Sequence, residues 1–585
     1  MAYDGITMAA VKKELDKSLL GAKVEKIYQP RTLEIVLYLR QNAASYSLIC
    51  SADSRLARVH LTSNKPENPS TPPSFCMLLR KHLTGARLLS LRQDELERVL
   101  IFVFSSYDDF GNSITKSLIC EIMGKHSNII LTMPTDNNEP LILGSIKQVT
   151  ESMSRYRRIL PGDIYYPPPT QDKINTFSFK KEELEAALQK TAEDKPASSL
   201  VKTVMGVSKD LAEVLIMRAA GGEYCHPLAI ISPLTKELHK LAAAITNDKL
   251  QPCVYKTASG KLAFSILSPP QAAALELTHY QSVNDCLSAY YHALLSAHET
   301  AVLKQKLRQS VNSKLARLEK KLKKQNRELM EMEEADKYRL WGEMLTANLH
   351  LLSLGMTEAS VPNYYADKVE NITIPLDPSC SPQENAQRYF KKYRKLRDGK
   401  KYLLGHKAAA EEEIAYLESL LVAIEHADLS ALWEIREEME NAGLLRKKKT
   451  KKQAKINLSQ PMHFVSPDNI DIYVGKNNRQ NDQLTFHTAQ ATDIWLHVKN
   501  YPGAHVIIRD ANPPADTLLF AAELAAYYSK LSASSNVAVD YTQIRYVKKP
   551  RGAKPGMVVY DHHRTVYVTP KLESAVKNKK VFQEN

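Results

Sequence analysis

The sequence predicts a multidomain α+β protein in which a long antiparallel coiled-coil arm separates two units of mixed strands and helices. Three observations predict it. At 585 residues the chain is several times the roughly 100–200 residues of one domain. Its hydrophobic spacing has a period of two near both ends and of three, four or seven in the middle. Its 44% hydrophobic and 25% charged residues suit folded cores and exclude a disordered chain.

Residues 3–19 read as an amphipathic helix, with Ile6, Val11, Leu15 and Leu19 at near-helical spacing. Alternation then predicts strands over 23–29, 33–40, 46–51 and 57–61, a Pro-rich bend at 68–73 and a helix over 74–83. Further strands are expected over 87–92, 98–105, 114–121, 127–132 and 141–149. Residues 180–220 read as helices around the turn Gly206-Val207-Ser208, a pattern resembling a helix-hairpin-helix. Such a turn either exposes N–H groups to a phosphate or simply packs. From about 285, Leu303, Leu307, Val311, Leu315, Leu318, Leu322 and Leu329 keep coiled-coil spacing. Ile414, Leu417, Leu421, Ile424, Leu432, Ile435 and Met439 form a second run that can pair with the first. The expected arm is about 75–90 Å long, with a small non-helical tip near 353–382. Beyond a basic linker at 446–455, strands are expected over 471–474, 492–498, 505–508, 537–540 and 558–560 around one helix, 515–531. The resulting boundaries are 1–175, 176–280, 281–445, 446–455 and 456–585.

Composition narrows the function. Lys plus Arg number 79 against 65 Asp plus Glu, a net +14 that favours anionic partners such as nucleic acid or anionic lipid. Seven scattered cysteines without a CxxC pair argue against a disulfide framework or a zinc site. The N-terminus lacks a signal-peptide pattern and no apolar run spans a bilayer, so a cytosolic location without membrane attachment is expected. Neither HExxH, GxSxG nor a dinucleotide GxGxxG after a strand occurs. A binder without cofactor or catalytic residues is expected rather than an enzyme.

Two segments could grip nucleic acid. Gly124-Lys125-His126-Ser127-Asn128-Ile129 lies between strand patterns. It is either a plain polar turn or a phosphate site with Lys125 as the point charge and turn N–H groups beside it. Asp493, Trp495, His497 and Lys499 share one strand face, followed by Pro502-Gly503-Ala504-His505. That face suits base stacking with phosphate contact; alternatively, Trp495 is a core residue whose indole bonds to Asp493. The polar stretch 475–482 and the basic Gly/Pro stretch 548–556 read as loops beside it.

With MAYDGITMAAVKKEL, HLTSNKPENPSTPPSFCMLLRKHLTGARL, EIMGKHSNIIL, LPGDIYYPPP, GKNNRQNDQLTF and DIWLHVKNYPGAHVIIR in view, the chain resembles the bacterial NFACT family. This comprises the RqcH or fibronectin-binding protein A-like proteins, related to eukaryotic NEMF. The resemblance runs the whole length, in the order NFACT-N, helix-hairpin-helix, coiled-coil/middle, NFACT-R. It implies a ribosome-associated quality control factor that acts, as a monomer, on the large ribosomal subunit carrying obstructed peptidyl-tRNA. There it would recruit tRNA, mainly tRNA-Ala, for alanine tailing without mRNA, peptide bonds being made by the ribosome. A small RqcP-type RNA-binding protein is a further partner it suggests.

By the same resemblance, tRNA binding falls on Glu97 and Arg98, with Glu where the family commonly has Asp, and on Gly124, Lys125, His126, Ser127 and Asn128. RNA or ribosome binding falls on Asp493, Trp495, His497, Lys499, Gly503 and His505, with Ala504 where Ser is common. NFACT-N and its hairpin also resemble formamidopyrimidine-DNA glycosylases in fold. Here the N-terminal proline nucleophile and the cysteine zinc finger of those enzymes are missing, so a glycosylase-like grip is expected without the chemistry. The alternatives are a surface fibronectin-binding adhesin and a DNA-binding or repair protein.

Overall fold

The computed structural model describes residues 3–107, 111–154, 156–257, 259–270, 276–365, 370–446 and 459–571. Except for Arg446, the expected basic linker lies outside them. The chain divides into two units, Met1–Ser296 and Ala297–Asn585.

The first unit is built on α1 (Gly5–Leu19) and a nine-stranded antiparallel sheet. The strands are β1 (Lys23–Arg31), β2 (Glu34–Gln41), β3 (Ala44–Ser51), β4 (Arg58–Leu61), β5 (Arg87–Arg92), β6 (Val99–Tyr107), β7 (Ser113–Glu121), β8 (Asn128–Pro134) and β9 (Pro140–Ser145), with α2 (Ser74–Leu83) between β4 and β5. Their order is β4-β3-β2-β1-β5-β6-β7-β8-β9. The apolar face of α1 (Ile6, Val11, Leu15, Leu19) is fully buried against it. Each such side chain contributes about 1.5–3 kcal/mol of transfer free energy. The opposite face of β6–β9 carries a smaller core of Val99, Ile119, Ile130 and Ile142, covered by Ile159 and Tyr165.

Four helices follow, α3 (Lys181–Gln189), α4 (Pro196–Thr203), α5 (Lys209–Ala219) and α6 (Ile231–Thr246), then a small sheet of β10 (Cys253–Lys256), β11 (Leu262–Ser265) and β12 (Leu277–His279). The α4–α5 turn is a packing turn. Asp4 caps α1 by accepting the Thr7 N–H at 2.8 Å, and its other oxygen accepts the Ser208 N–H at the start of α5 at 2.9 Å. The Ile6 N–H donates to the Gly206 carbonyl at 3.1 Å. Gly206 has φ of +79°, the left-handed region natural to glycine. A Cβ on Gly5 would lie 1.9 Å from the Leu96 carbonyl oxygen and 2.8 Å from Gly206 Cα. The Ser208 N–H therefore faces a protein carboxylate, and the Leu211 N–H is taken by Ser208 Oγ.

The lower half of α1 holds two more helices. Lys13 donates to the Ile245 carbonyl at 2.9 Å, where the last turn of α6 is electronegative. Glu14 accepts the N–H groups of Val283 and Asn284 at 2.6 and 3.0 Å, at the electropositive start of α7 (Val283–Glu333).

The boundary between the units falls within α7. In the second unit α7 runs antiparallel to α9 (Pro382–His426), with Arg308 on Glu425 at 3.3 Å, Lys314 on Glu413 at 3.4 Å and Gly399 against Met332. As one residue number rises the other falls. Leu307, Val311 and Leu318 pack on Leu417, Leu420 and Ile424 and on α10 (Leu429–Asn441). The helices have 51 and 45 residues, about 77 and 68 Å of rise, so α7 falls within the expected length and α9 slightly below it. At the tip, α8 (Ala335–Ala347) packs on a hairpin of β13 (Glu358–Asn363) and β14 (Glu370–Pro375).

A six-stranded antiparallel sheet completes the second unit in the order β15 (Met462–Val465), β16 (Asp471–Val474), β18 (Val506–Ile508), β17 (Ile494–Val498), β19 (Val537–Gln543), β22 (Arg564–Val568). One face is covered by α12 (Ala515–Tyr527). On the other lie the residues following α11 (Asn478–Gln483) and the ribbon of β20 (Val547–Lys548) and β21 (Val559–Tyr560). The single expected helix is thus two: capping by Asn477, which accepts the Gln480 N–H at 2.9 Å, turns part of the expected loop 475–482 into α11.

Asp4→Ala removes a cap and leaves the Ser208 N–H buried without a partner. The expected destabilisation is about 2–4 kcal/mol, read as a lowered denaturant midpoint; an unchanged midpoint contradicts the capping role.

Candidate nucleic-acid interface

Adjacent strand ends gather the expected residues of the first unit. Val99 pairs with Glu121 across β6 and β7, the Ile122 N–H donates to the Arg98 carbonyl at 2.8 Å, and Glu121 pairs with Asn128 across β7 and β8. Glu97, Arg98 and the 124–128 turn therefore share one end of the sheet. Arg98 is partly exposed and makes no salt bridge or side-chain hydrogen bond among the described residues. Glu97 Oε1 is buried without a hydrogen-bond partner. Lys173 is held below the usual lysine range, first by burial and then by the Arg98 charge, while Glu97 opposes the shift. Sequence reasoning missed Lys173, which reaches this end because the Ile174 N–H pairs with Thr203 next to the hairpin turn.

The turn divides its labour. Ser127 and Asn128 are buried: Ser127 Oγ accepts the Met123 N–H at 2.8 Å, and the Asn128 amide bonds to both backbone groups of Lys147. Gly124 has φ of +63°. The His126 and Ser127 N–H groups close the turn on Met123 and Gly124, so they are not a free phosphate cradle. The Lys125 and His126 side chains are exposed. Lys125 and His126 thus project from the turn, while Ser127 and Asn128 are turned inward.

Below the turn, fully buried Glu121 accepts both arms of the Arg157 guanidinium, at 2.6 Å each, and the Tyr165 hydroxyl at 2.9 Å. Burial opposes the charge on Arg157, but the Glu121 bonds outweigh it and hold the guanidinium above its usual value. Burial and then Glu121 push the Tyr165 hydroxyl up. No sequence spacing signals this clasp, since Glu121 and Arg157 come from separate segments.

The second signature is mostly interior. Asp493, Trp495, His497 and Lys499 do lie on one strand face, but Leu484, Ile544 and Val547 cover it. Trp495 has 0% exposure, which removes it as a stacking surface. Its indole N–H has no partner, so the expected bond to Asp493 is absent too. Asp493 instead accepts the Gln490 N–H at 2.8 Å and Arg509 at 3.1 Å. The His505 Nδ1 lies 2.8 Å from Thr485 Oγ1, and a Cβ on Gly503 would meet Ser529 Cβ at 3.1 Å. Lys499, partly exposed, sits 3.5 Å from buried Asp540. Apart from partly exposed Lys499, these residues lie mostly in the interior and do not present a flat RNA surface.

Nor is the polar stretch 475–482 open to RNA. Asn477 donates to Glu434 at 2.6 Å, Asn478 to Ser419 at 3.0 Å and Gln480 to the Ser459 carbonyl at 2.7 Å, while Lys476 pairs with Asp428 at 2.8 Å and Arg479 with Glu437 at 2.8 Å. Sequence reasoning missed Glu434 and Glu438, i and i+4 acids beside apolar Ile435 and Met439 on α10. Of the second basic stretch, Lys548 and Arg551 are exposed without an ion pair among the described residues, while Lys549 pairs with Asp482.

Burial lowers His497 to about 4; burial and then the His497 charge lower His505 to about 3. Unfolded, each ring takes a proton near pH 6.5. Between these values the unfolded chain binds more protons, so stability from this pair is complete above about pH 6.5 and declines as pH falls toward 4. The melting midpoint of the second unit should drop between about pH 7 and pH 5, and His505→Gln should flatten that dependence. Equal slopes in the variant and the parent chain would contradict it.

The profile of the NFACT N-terminal and middle domains matches residues 4–457, and that of the NFACT protein RNA binding domain matches residues 460–561. The chain is 38% identical to the Rqc2 homolog RqcH of Bacillus subtilis, covering 99% of this chain and 100% of that protein. It is 35% identical to the Rqc2 homolog RqcH of Streptococcus pneumoniae strain R6, again over 99% and 100%. Similarity extends to the ribosome quality control complex subunit NEMF of Homo sapiens, at 30% identity over 22% of this chain and 11% of that protein. From its N-terminal Asp4 anchor to its RNA-binding domain, the chain belongs to the NFACT family.

Proposed function

We propose that this chain is a ribosome quality control factor. It binds the large ribosomal subunit that carries an obstructed peptidyl-tRNA and recruits tRNA, mainly tRNA-Ala, so that the nascent chain receives a C-terminal alanine tail and is degraded. The observation that carries this reading is the collinear match, over 99% of the chain and all of the relative, to a protein described as an Rqc2 homolog. An RNA-binding domain profile over residues 460–561 supports an RNA partner.

In this reading the chain is an adaptor and the ribosome makes the peptide bonds. Arg98, Lys125 and His126 take tRNA phosphates or base edges; a guanidinium free of internal partners can give a bidentate contact to either. Glu97 supplies a desolvated acceptor beside them, while Gly124, Ser127 and Asn128 hold the turn. In the RNA-binding domain, Asp493, Trp495, His497, Gly503 and His505 act by fixing the sheet, and direct contact falls to Lys499, Lys548 and Arg551. The factor works in the cytoplasm as a ribosome-bound monomer, with a small RqcP-type RNA-binding protein as a further partner.

Pull-down of the tagged chain from cells with induced stalling should recover free large subunits and tRNA-Ala; recovery of neither overturns the proposal. Arg98→Ala should reduce tRNA recovery about tenfold, given roughly 1–3 kcal/mol for a bidentate contact, while subunit recovery is retained. Full tRNA recovery with Arg98→Ala would remove that residue from the interface.

A further inference from the structure

Stacking on a base requires an exposed ring, and two tyrosines near the first unit's cations meet this condition: Tyr156, and Tyr166 within the LPGDIYYPPP stretch. Tyr156 is 78% exposed and Tyr166 64% exposed. Among the described residues neither packs on another ring or bonds through its side chain. Scattered exposed aromatics need no explanation, but these two are anchored. Arg157, adjacent to Tyr156, is fixed by Glu121 at 2.6 Å and donates to the Tyr166 carbonyl at 2.8 Å. Tyr165, adjacent to Tyr166, is fixed to the same carboxylate at 2.9 Å. One buried acid thus pins the backbone beneath both rings and leaves the rings in water.

The charge around them selects the partner. The turn with exposed Lys125 and His126 begins three residues beyond Glu121, and Arg98 lies on the neighbouring strand end. Arg158 contributes little net charge, being paired with Asp163 at 2.7 Å. Exposed rings beside unpaired cations match the faces and phosphates of unstacked nucleotides. A protein partner would instead call for a continuous apolar patch, and Ser154, Glu151 and Arg158 interrupt this one.

We propose that Tyr156 and Tyr166 form a stacking platform for unpaired nucleotides of an RNA, whose phosphates are taken by Lys125 and His126. This rests on the reading that this sheet end faces tRNA and goes further by naming a single-stranded segment as the ligand. Because every base has a π face, the platform adds affinity without reading base identity.

The test uses the full chain and an unstructured oligouridylate RNA of about 12 nucleotides, with affinity measured by fluorescence anisotropy at two salt concentrations. Tyr156→Ala combined with Tyr166→Ala should weaken binding about tenfold or more. The paired Tyr→Phe variant should bind like the parent chain, because the ring and not the hydroxyl stacks. Lys125→Ala should lower the salt slope by about one. Unchanged affinity in the alanine pair overturns the platform, as does an equal loss for duplex RNA, whose bases cannot reach the rings. If alanine lowers the melting midpoint, the Tyr→Leu pair decides, since it keeps apolar bulk without a π face; retained affinity there overturns the proposal. Failure of the cellular pull-down with the RNA result intact removes the adaptor reading alone, and the reverse removes the platform alone.

Discussion

The first unit depends on one buried carboxylate. Asp4 caps α1 with one oxygen and with the other accepts the N–H of Ser208, the N-cap of α5, joining segments 204 residues apart. Burial drives its pKa up and the N–H bonds pull it back, so the contact holds only while both helix starts stay aligned on it. Close approach of Gly5, Leu96 and Gly206 then fixes the β5–β6 turn, from which Glu97 and Arg98 project. Nine residues later on the same helix, Lys13 and Glu14 fasten the end of α6 and the start of α7. A single helix of 15 residues thereby sets the hairpin, the Arg98 turn and the root of the arm helix in one frame.

The second unit uses polar side chains differently. A loop dense in Asn, Gln and Arg invites reading as a nucleic-acid surface, yet Asn477 and Gln480 donate to buried Glu434 and Asn478 donates to one oxygen of buried Glu438 on α10, the other Glu438 oxygen having no partner. Amide-to-carboxylate bonds tolerate burial only when nearly every donor is matched, which fixes the register between the RNA-binding domain and the base of the coiled coil. The indole N–H of Trp495 remains unmatched in the same interior. Its ring fills space between His497, His505 and Tyr560, 4.9–5.6 Å away between centroids, and the packing outweighs one orphaned donor.

Much of this was legible in the sequence because it rests on local periodicity. Helix α2 and strand β5 fall at the expected bounds, and the leucine spacing of α7 and α9 leads directly to the antiparallel pair. What stayed hidden was pairing across distance. Alternation puts Trp495 and His497 on one face but cannot say that Leu484 and Val547 will cover it. Sequence places Lys125 in a polar turn but cannot show that Ser127 and Asn128 turn inward while His126 stays out. Glu121, Arg157 and Tyr165 meet only because Val149, Ile159 and Tyr165 fold back over β6–β9.

In the proposed function RNA is gripped at the Glu97–Arg98 end of the first sheet, while the tryptophan–histidine signature of the second unit serves the fold. Ultraviolet crosslinking of the full chain to tRNA, with crosslinked peptides identified by mass spectrometry, tests it most directly. Crosslinks should map to residues 97–98, 125–126 and 156–166, and to the basic turn at 548–551, leaving 493–498 and 505 unmarked. Crosslinks concentrated on Trp495 and His505, with the first sheet's end unmarked, would contradict it.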